Sequence, residues 1–147
     1  MEVRAVLGGV GCFAKEKTND MARGGGLGDW GATSKVFRFS ELPVRTGANG
    51  GESRNVLDGR LVTGEAVSVH ESMQPAGAKP NPAHRIEHTE LICLREGSLE
   101  FQHDGKTERA EAGDILFVAK GTFHGVRNVG AGPAAYFVVA IGGDVNE

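Results

Sequence analysis

The chain has 147 residues, enough for one domain with a real core. Its formal net charge of −3, with no basic stripe, argues against nucleic acid as a partner, and no apolar run approaches the ~20 residues that span a bilayer. Against 5 prolines stand 23 glycines spread along the chain, a composition of short strands joined by many turns.

Residues 1–33 contain Gly8-Gly9 and Gly24-Gly25-Gly26 without sustained periodicity and read as an irregular leader, with Met21 an equally good start. The run Val6–Ala14 is short and broken by Gly, Glu2 removes the basic start of a signal peptide, and Gly9-Val10-Gly11-Cys12 lacks the Leu of a lipoprotein site. The expectation is a cytoplasmic protein rather than a secreted or lipid-anchored one. Cys12 and Cys93 lie in dissimilar contexts and are read as unpaired, Cys93 as a small hydrophobe.

Residues 34–147 read as one barrel domain. Ser34–Phe39 carries a short strand signal, and Asn49-Gly50-Gly51 marks a turn. Strands are expected over Asn55–Leu57, Arg60–Thr63 and Ala66–His70, with Asp58-Gly59 read as a two-residue hairpin turn. A Pro- and Gly-containing connector, Pro75–Pro82, leads to His84. Beyond it come strands at Glu90–Arg95, Leu99–His103, Thr107–Ala110, Asp114–Val118, Phe123–Val126 and Ala134–Ile141, with Asp104-Gly105 as another hairpin signature. About ten short strands without an amphipathic helix mean an all-β sandwich or barrel.

The chemistry concentrates in His84-Arg85-Ile86-Glu87-His88-Thr89-Glu90. Read as one strand, it puts His84, Ile86, His88 and Glu90 on one face, because side chains alternate with period two. Imidazoles and a carboxylate converging on one point are the ligand types of zinc, iron, manganese and nickel. No phosphate loop, nucleophile elbow or paired-cysteine zinc pattern occurs.

A second stretch, Gly113-Asp114 through Ala119-Lys120-Gly121-Thr122-Phe123-His124 to Asn128, completes the pattern. Together the two stretches resemble the paired signature motifs of the cupin superfamily, over residues from about 34 to 141. Glu90, Gly97, Gly113, Gly121, His124 and Asn128 match at the family's spacings, and His84 takes the first histidine position. Three positions depart from it: Gly77 is one residue too far from His84, Ala119 stands where Pro is usual, and Ile86 replaces the second histidine.

The resemblance implies a jelly-roll barrel, a double-stranded β-helix, with one divalent metal (Fe, Mn, Ni or Zn) inside. His84, Glu90 and His124 are the expected ligands, with His88 as a rim histidine or a substitute donor. Such a site suits a small-molecule enzyme of dioxygenase, isomerase or lyase type, with Glu90 as ligand or general base and His88 as proton shuttle. The alternative is a non-catalytic cup that binds or senses a small ligand, which the loss of one histidine favours. Ile86, Phe117, Phe123 and Tyr136 are expected on the pocket wall. His70 is read as a core histidine satisfied by partners, His103 as a surface residue, and Asn128 as a turn cap. The partners expected are a small molecule and a second copy of the chain, paired through the Ser34–Phe39 strand.

Overall fold

The structure, a computed structural model, describes residues 33–145. The leader and Cys12 lie outside the described residues. The chain enters through a single 3-10 turn at Phe39–Glu41 and continues as ten strands. These are β1 (Val44–Thr46), β2 (Glu52–Arg60), β3 (Ala66–Gln74), β4 (His84–Arg85), β5 (Thr89–Glu96), β6 (Ser98–His103), β7 (Lys106–Glu111), β8 (Ile115–Val118), β9 (Phe123–Asn128) and β10 (Ala134–Ile141). They form a six-stranded sheet in the order β1-β2-β3-β10-β5-β8 and a four-stranded sheet in the order β4-β9-β6-β7. Every pairing is antiparallel. The two sheets face each other as a jelly-roll barrel, the all-β fold that the sequence led us to expect.

Alternation sets the faces. On β5, Glu90, Ile92 and Leu94 turn inward, and on β8 so do Leu116 and Val118. With Ile86, Leu99, Phe101, Tyr136 and Val138 they build one core between the sheets. Asp104 (φ 48°) and Gly105 (φ 74°) join β6 to β7 in the two-residue turn their sequence predicts. Gly97 is obligatory: its φ is +80°, and a Cβ there would stand 2.4 Å from the Pro133 carbonyl oxygen.

Three expectations fail, each because tertiary pairing overrides a local signal. Asp58-Gly59 makes no turn and Arg60–Thr63 no strand of its own: β2 runs through to Arg60, opposite Ser68, Val67 and Ala66, and the hairpin closes over Leu61–Gly64, where Gly64 N–H donates to Leu61 O. Residues 34–38 form no strand, and the Phe39 ring instead stacks on the guanidinium groups of Arg54 and Arg95. The run from His84 to Glu90 is not one strand either. It bends at Glu87-His88, so that β4 joins the smaller sheet and β5 the larger.

Candidate functional site

The bend brings the polar residues together from both sheets. In the smaller sheet, His84 of β4 pairs with His124 of β9, which pairs in turn with His103 of β6. Glu90 of β5, facing inward from the larger sheet, completes this layer. His84 is exposed and marks the layer as the mouth of the barrel, whereas His124 is buried.

Within the layer, His88 Nε2–H donates to Glu90 Oε1 at 2.7 Å, and His88 Nδ1–H donates to Asp144 Oδ1 at 2.5 Å. The other Glu90 oxygen, Oε2, stands 3.6 Å from His124 Nε2, beyond hydrogen-bond length. His124 gives its Nδ1–H to the Thr122 carbonyl (3.3 Å) and His84 gives its own to the Pro82 carbonyl (3.4 Å). Among the described residues neither ring's Nε2 has a hydrogen bond, and the two rings lie 4.8 Å apart between centroids.

Burial pushes the Glu90 carboxyl up, but the adjoining His124 and His88 imidazoles outweigh it and hold Glu90 below the ordinary carboxylate range. Burial likewise lowers His88, yet its bonds to Glu90 and Asp144 leave it raised above the usual histidine value. Glu90 at neutral pH is thus an anionic acceptor rather than the near-neutral base expected, and His88, bonded to two carboxylates, holds its proton more tightly than an ordinary histidine.

The remaining expected wall residues disperse. Ile86 is inward and only 3% exposed, part of the core. Phe117 does not line a pocket: strand parity turns it outward, 60% exposed, while Leu116 and Val118 take the inner face. Phe123 also points out of the barrel, 57% exposed, yet it borders an open cleft of about 270 Å³ at the mouth. The Gln102–Thr107 hairpin, Ala83, His124 and Gly125 form the rest of that cleft.

Tyr136 is inward but far from Glu90. Glu90 pairs with Ala140, four residues along β10 and so roughly 13 Å away. There the Tyr136 hydroxyl accepts from Gln74 Nε2–H at 2.9 Å and is already engaged. Asn128 lies at this closed end too. Its Oδ1 accepts from Gly130 N–H, as expected of a turn cap, and its Nδ2–H donates to the carbonyls of Gln74 and Gly132.

Three residues take places the sequence reading did not give them. His103 is partly buried and borders the open cleft: it shares the inner face with Leu99 and Phe101, stacks on Phe101 at 4.2 Å, and bonds to Asp104 and Glu108. The period-two spacing of those three residues was the available signal. Asp144 lies beyond the last strand, where no motif points to it. His70 faces inward without a hydrogen-bond partner among the described residues, and burial lowers its pKa against the pull of Glu90 and Glu71.

The donor types suit a divalent metal, but their placement does not form a metal cage. Among the described residues, no group of three or more His, Cys, Asp or Glu side chains is arranged to hold a metal ion. One oxygen of the carboxylate is committed to His88, and Ile86 supplies nothing where a third imidazole would stand.

The family profile for the cupin domain matches residues 69–140, from within β3 to the end of β10. The chain belongs to the cupin superfamily. Solved structures agree on the fold. A predicted oxalate decarboxylase from Thermotoga maritima superposes with a TM-score of 0.59 at 21% identity, over 73% of this chain and 98% of that one. The polyketide cyclase RemF from Streptomyces resistomycificus gives 0.61 at 20% identity, over 74% and 80%. A cupin sugar phosphate isomerase from Silicibacter pomeroyi gives 0.60 at 19% identity, over 72% and 74%. No curated protein matches the chain. Among the described residues of this cupin, no helix is long and apolar enough to cross a membrane.

Proposed function

We propose that this cupin binds a small organic molecule at the barrel mouth, anchored on Glu90, and moves a proton on it. The observation that carries this reading is the division of labour on one carboxylate. Oε1 is fixed by His88, while Oε2, 3.6 Å from His124 Nε2, has no hydrogen bond among the described residues. A ligand hydroxyl or enol can donate its proton to Oε2, a hydrogen bond to a charged group worth about 1.5–3 kcal/mol. His88, bonded to Oε1, fixes the carboxylate so that Oε2 is the oxygen left for the ligand. Proton transfer next to a carbonyl, as an isomerase, lyase or cyclase requires, suits this cluster if the unbonded Nε2 of His124 takes the proton from the ligand carbon and returns it to the product; structural relatives are named as an isomerase and a cyclase. The non-catalytic cup needs the same anchor without the turnover.

A second reading keeps one divalent ion, Fe, Mn, Ni or Zn, on His84, Glu90 and His124. Its support is that both imidazoles spend Nδ1–H on a backbone carbonyl and leave Nε2 unbonded, as metal-ligating histidines do.

One experiment separates the readings. A panel of small hydroxy- and oxo-acids and enols is screened by ligand-observed NMR against the parent, Glu90→Gln and His124→Ala, and metal content is measured by elemental analysis. The first reading expects compounds that bind the parent without added metal and are lost in both variants. Binding that is indifferent to both substitutions sinks it; binding only after one equivalent of metal is supplied favours the second.

The chain is also proposed to pair with a second copy. The support is the outward apolar face of β8 and β10, where Ile115, Phe117 and Ile141 are exposed. A sedimentation mass equal to the 15.4 kDa chain at micromolar concentration would exclude pairing.

A further inference from the structure

After β10 the chain turns through Gly142-Gly143-Asp144-Val145, and this turn is built onto the mouth. Gly142 N–H donates to the Ala66 carbonyl at 2.8 Å, and Val145 N–H donates to Gly142 O at 3.1 Å. The Val145 side chain is buried with Ala66 and Ala140. Gly143 presses directly on the bend between β4 and β5. A Cβ at that position would stand 1.8 Å from the Glu87 carbonyl oxygen and 2.9 Å from His88 Cα. The close approach exists only because residue 143 has no side chain.

That approach delivers Asp144 to His88. An imidazole on a bend is free to turn about two torsions, and one hydrogen bond leaves the ring plane undetermined. His88 has two bonds, from opposite ring atoms, to carboxylates fixed on separate parts of the fold. The Asp144 carboxyl lies below the usual carboxylate range, chiefly through its bond to His88, with the backbone of Asp144 and Glu87 adding to it. The ring is pinned at both ends.

We infer that Asp144 is a positioning residue of the site: it locks the His88 ring so that Nε2 addresses Glu90 Oε1 and leaves Glu90 Oε2 for the ligand. The relay Asp144–His88–Glu90 runs from the C-terminal turn into the barrel mouth. It also gives the histidine at position 88 a task other than replacing the donor absent at Ile86. The use made of Glu90 rests on the function proposed above; the lock on His88 does not.

The test is ring-resolved NMR on the full chain with 15N-labelled histidine. The parent should show both ring N–H protons of His88, shielded from exchange with water. Asp144→Ala should lose the Nδ1–H signal and speed exchange of the Nε2 proton about tenfold, the effect of deleting one charge-assisted hydrogen bond. Asp144→Asn keeps an acceptor and should restore the signal in part. Val145→Ala loosens the turn's apolar anchor and should lower the melting temperature while leaving the His88 pattern in place.

A role confined to stability would give the opposite: a lower melting temperature in Asp144→Ala with His88 unchanged, which overturns the inference. Should Asp144→Ala not fold, the parent decides through the correlation between His88 Nδ1–H and the Asp144 carboxyl carbon, whose absence also overturns it. If His88 responds as expected but no compound binds the parent, the lock stands and the proposed function fails.

Discussion

Two carboxylates on the larger sheet are both buried, and the sheet treats them in opposite ways. Glu71, on β3, faces out of the barrel and is 1% exposed; Glu90, on β5, faces in and is 9% exposed. Glu71 Oε2 accepts from Arg54 at 3.1 Å and Oε1 from Arg95 at 2.9 Å, with Phe39 stacked across both guanidinium groups. Each of its oxygens has a partner that stays charged at every ordinary pH. Glu90 has one oxygen on a histidine and the other facing an imidazole too far away to bond. A carboxylate saturated by arginines in a closed place holds the fold together. One left half-satisfied among histidines, next to His124 of the cleft wall, is available to a ligand.

The largest expected effect breaks the closed carboxylate. Arg54→Ala leaves Glu71 buried with one partner and should cost about 3–5 kcal/mol in urea unfolding, the scale for orphaning a buried charge. Ligand binding at the mouth should survive wherever the protein stays folded. A loss below about 1 kcal/mol, the scale of an exposed pair, would mean that water reaches Glu71 and that the contrast is false.

Next comes Ile86→His. A buried imidazole in place of a core isoleucine should cost about 2 kcal/mol. If the mouth lacks a metal for want of one donor, this variant should bind zinc, by calorimetry, where the parent does not. Should it bind no metal, the site does not lack a metal merely for want of one donor, and the metal reading fails.

Much of this was legible, and what was not has identifiable causes. The alternation in Glu90–Leu94 and Ile115–Val118, the Asp104-Gly105 turn and the final strand Ala134–Ile141 could all be read because local pattern and tertiary pairing agree there. Asp58-Gly59 misled because an Asp-Gly pair is tolerated within a strand whose neighbour, here Ser68 and Val67, keeps pairing. His84, Glu90 and His124 were found by spacing, but by a wrong intermediate, since a bend rather than one strand joins the first two. Parity that located the core also placed Phe117, and reading it through to that residue would have turned Phe117 outward. Asp144 was beyond reach: its part in the site depends on how a Gly-Gly turn packs against residues more than fifty positions earlier.

A smaller effect on stability, with a large one on binding, belongs to the open carboxylate. Glu90→Gln keeps the shape and loses the charge, so unfolding should shift by no more than about 1 kcal/mol, the net scale of one hydrogen bond. Any compound bound by the parent should be released, as titration by ligand-observed NMR would show. A loss as large as that of Arg54→Ala would make Glu90 another structural carboxylate.

The smallest effect is in the pH dependence, and its sign distinguishes the two carboxylates most sharply. Glu90 is held below its ordinary value of 4.5, so its contribution is complete above that pH and disappears as pH falls through the lowered value. His88 is raised above its ordinary 6.5, so its contribution is complete below that pH and disappears as pH rises through the raised value. The His88–Glu90 pair therefore stabilises most between 4.5 and 6.5 and weakens on both sides. The stability difference between the parent and His88→Gln, from urea midpoints, should trace that hump. His70 and His103 titrate in both proteins and largely cancel. The difference between the parent and Arg54→Ala should show no alkaline limb up to about pH 9, because a guanidinium does not lose its proton there. A His88→Gln difference that stays level from about pH 6.5 to about pH 9 would mean that His88 carries no proton for Glu90. The open carboxylate would then be held by its backbone strand alone.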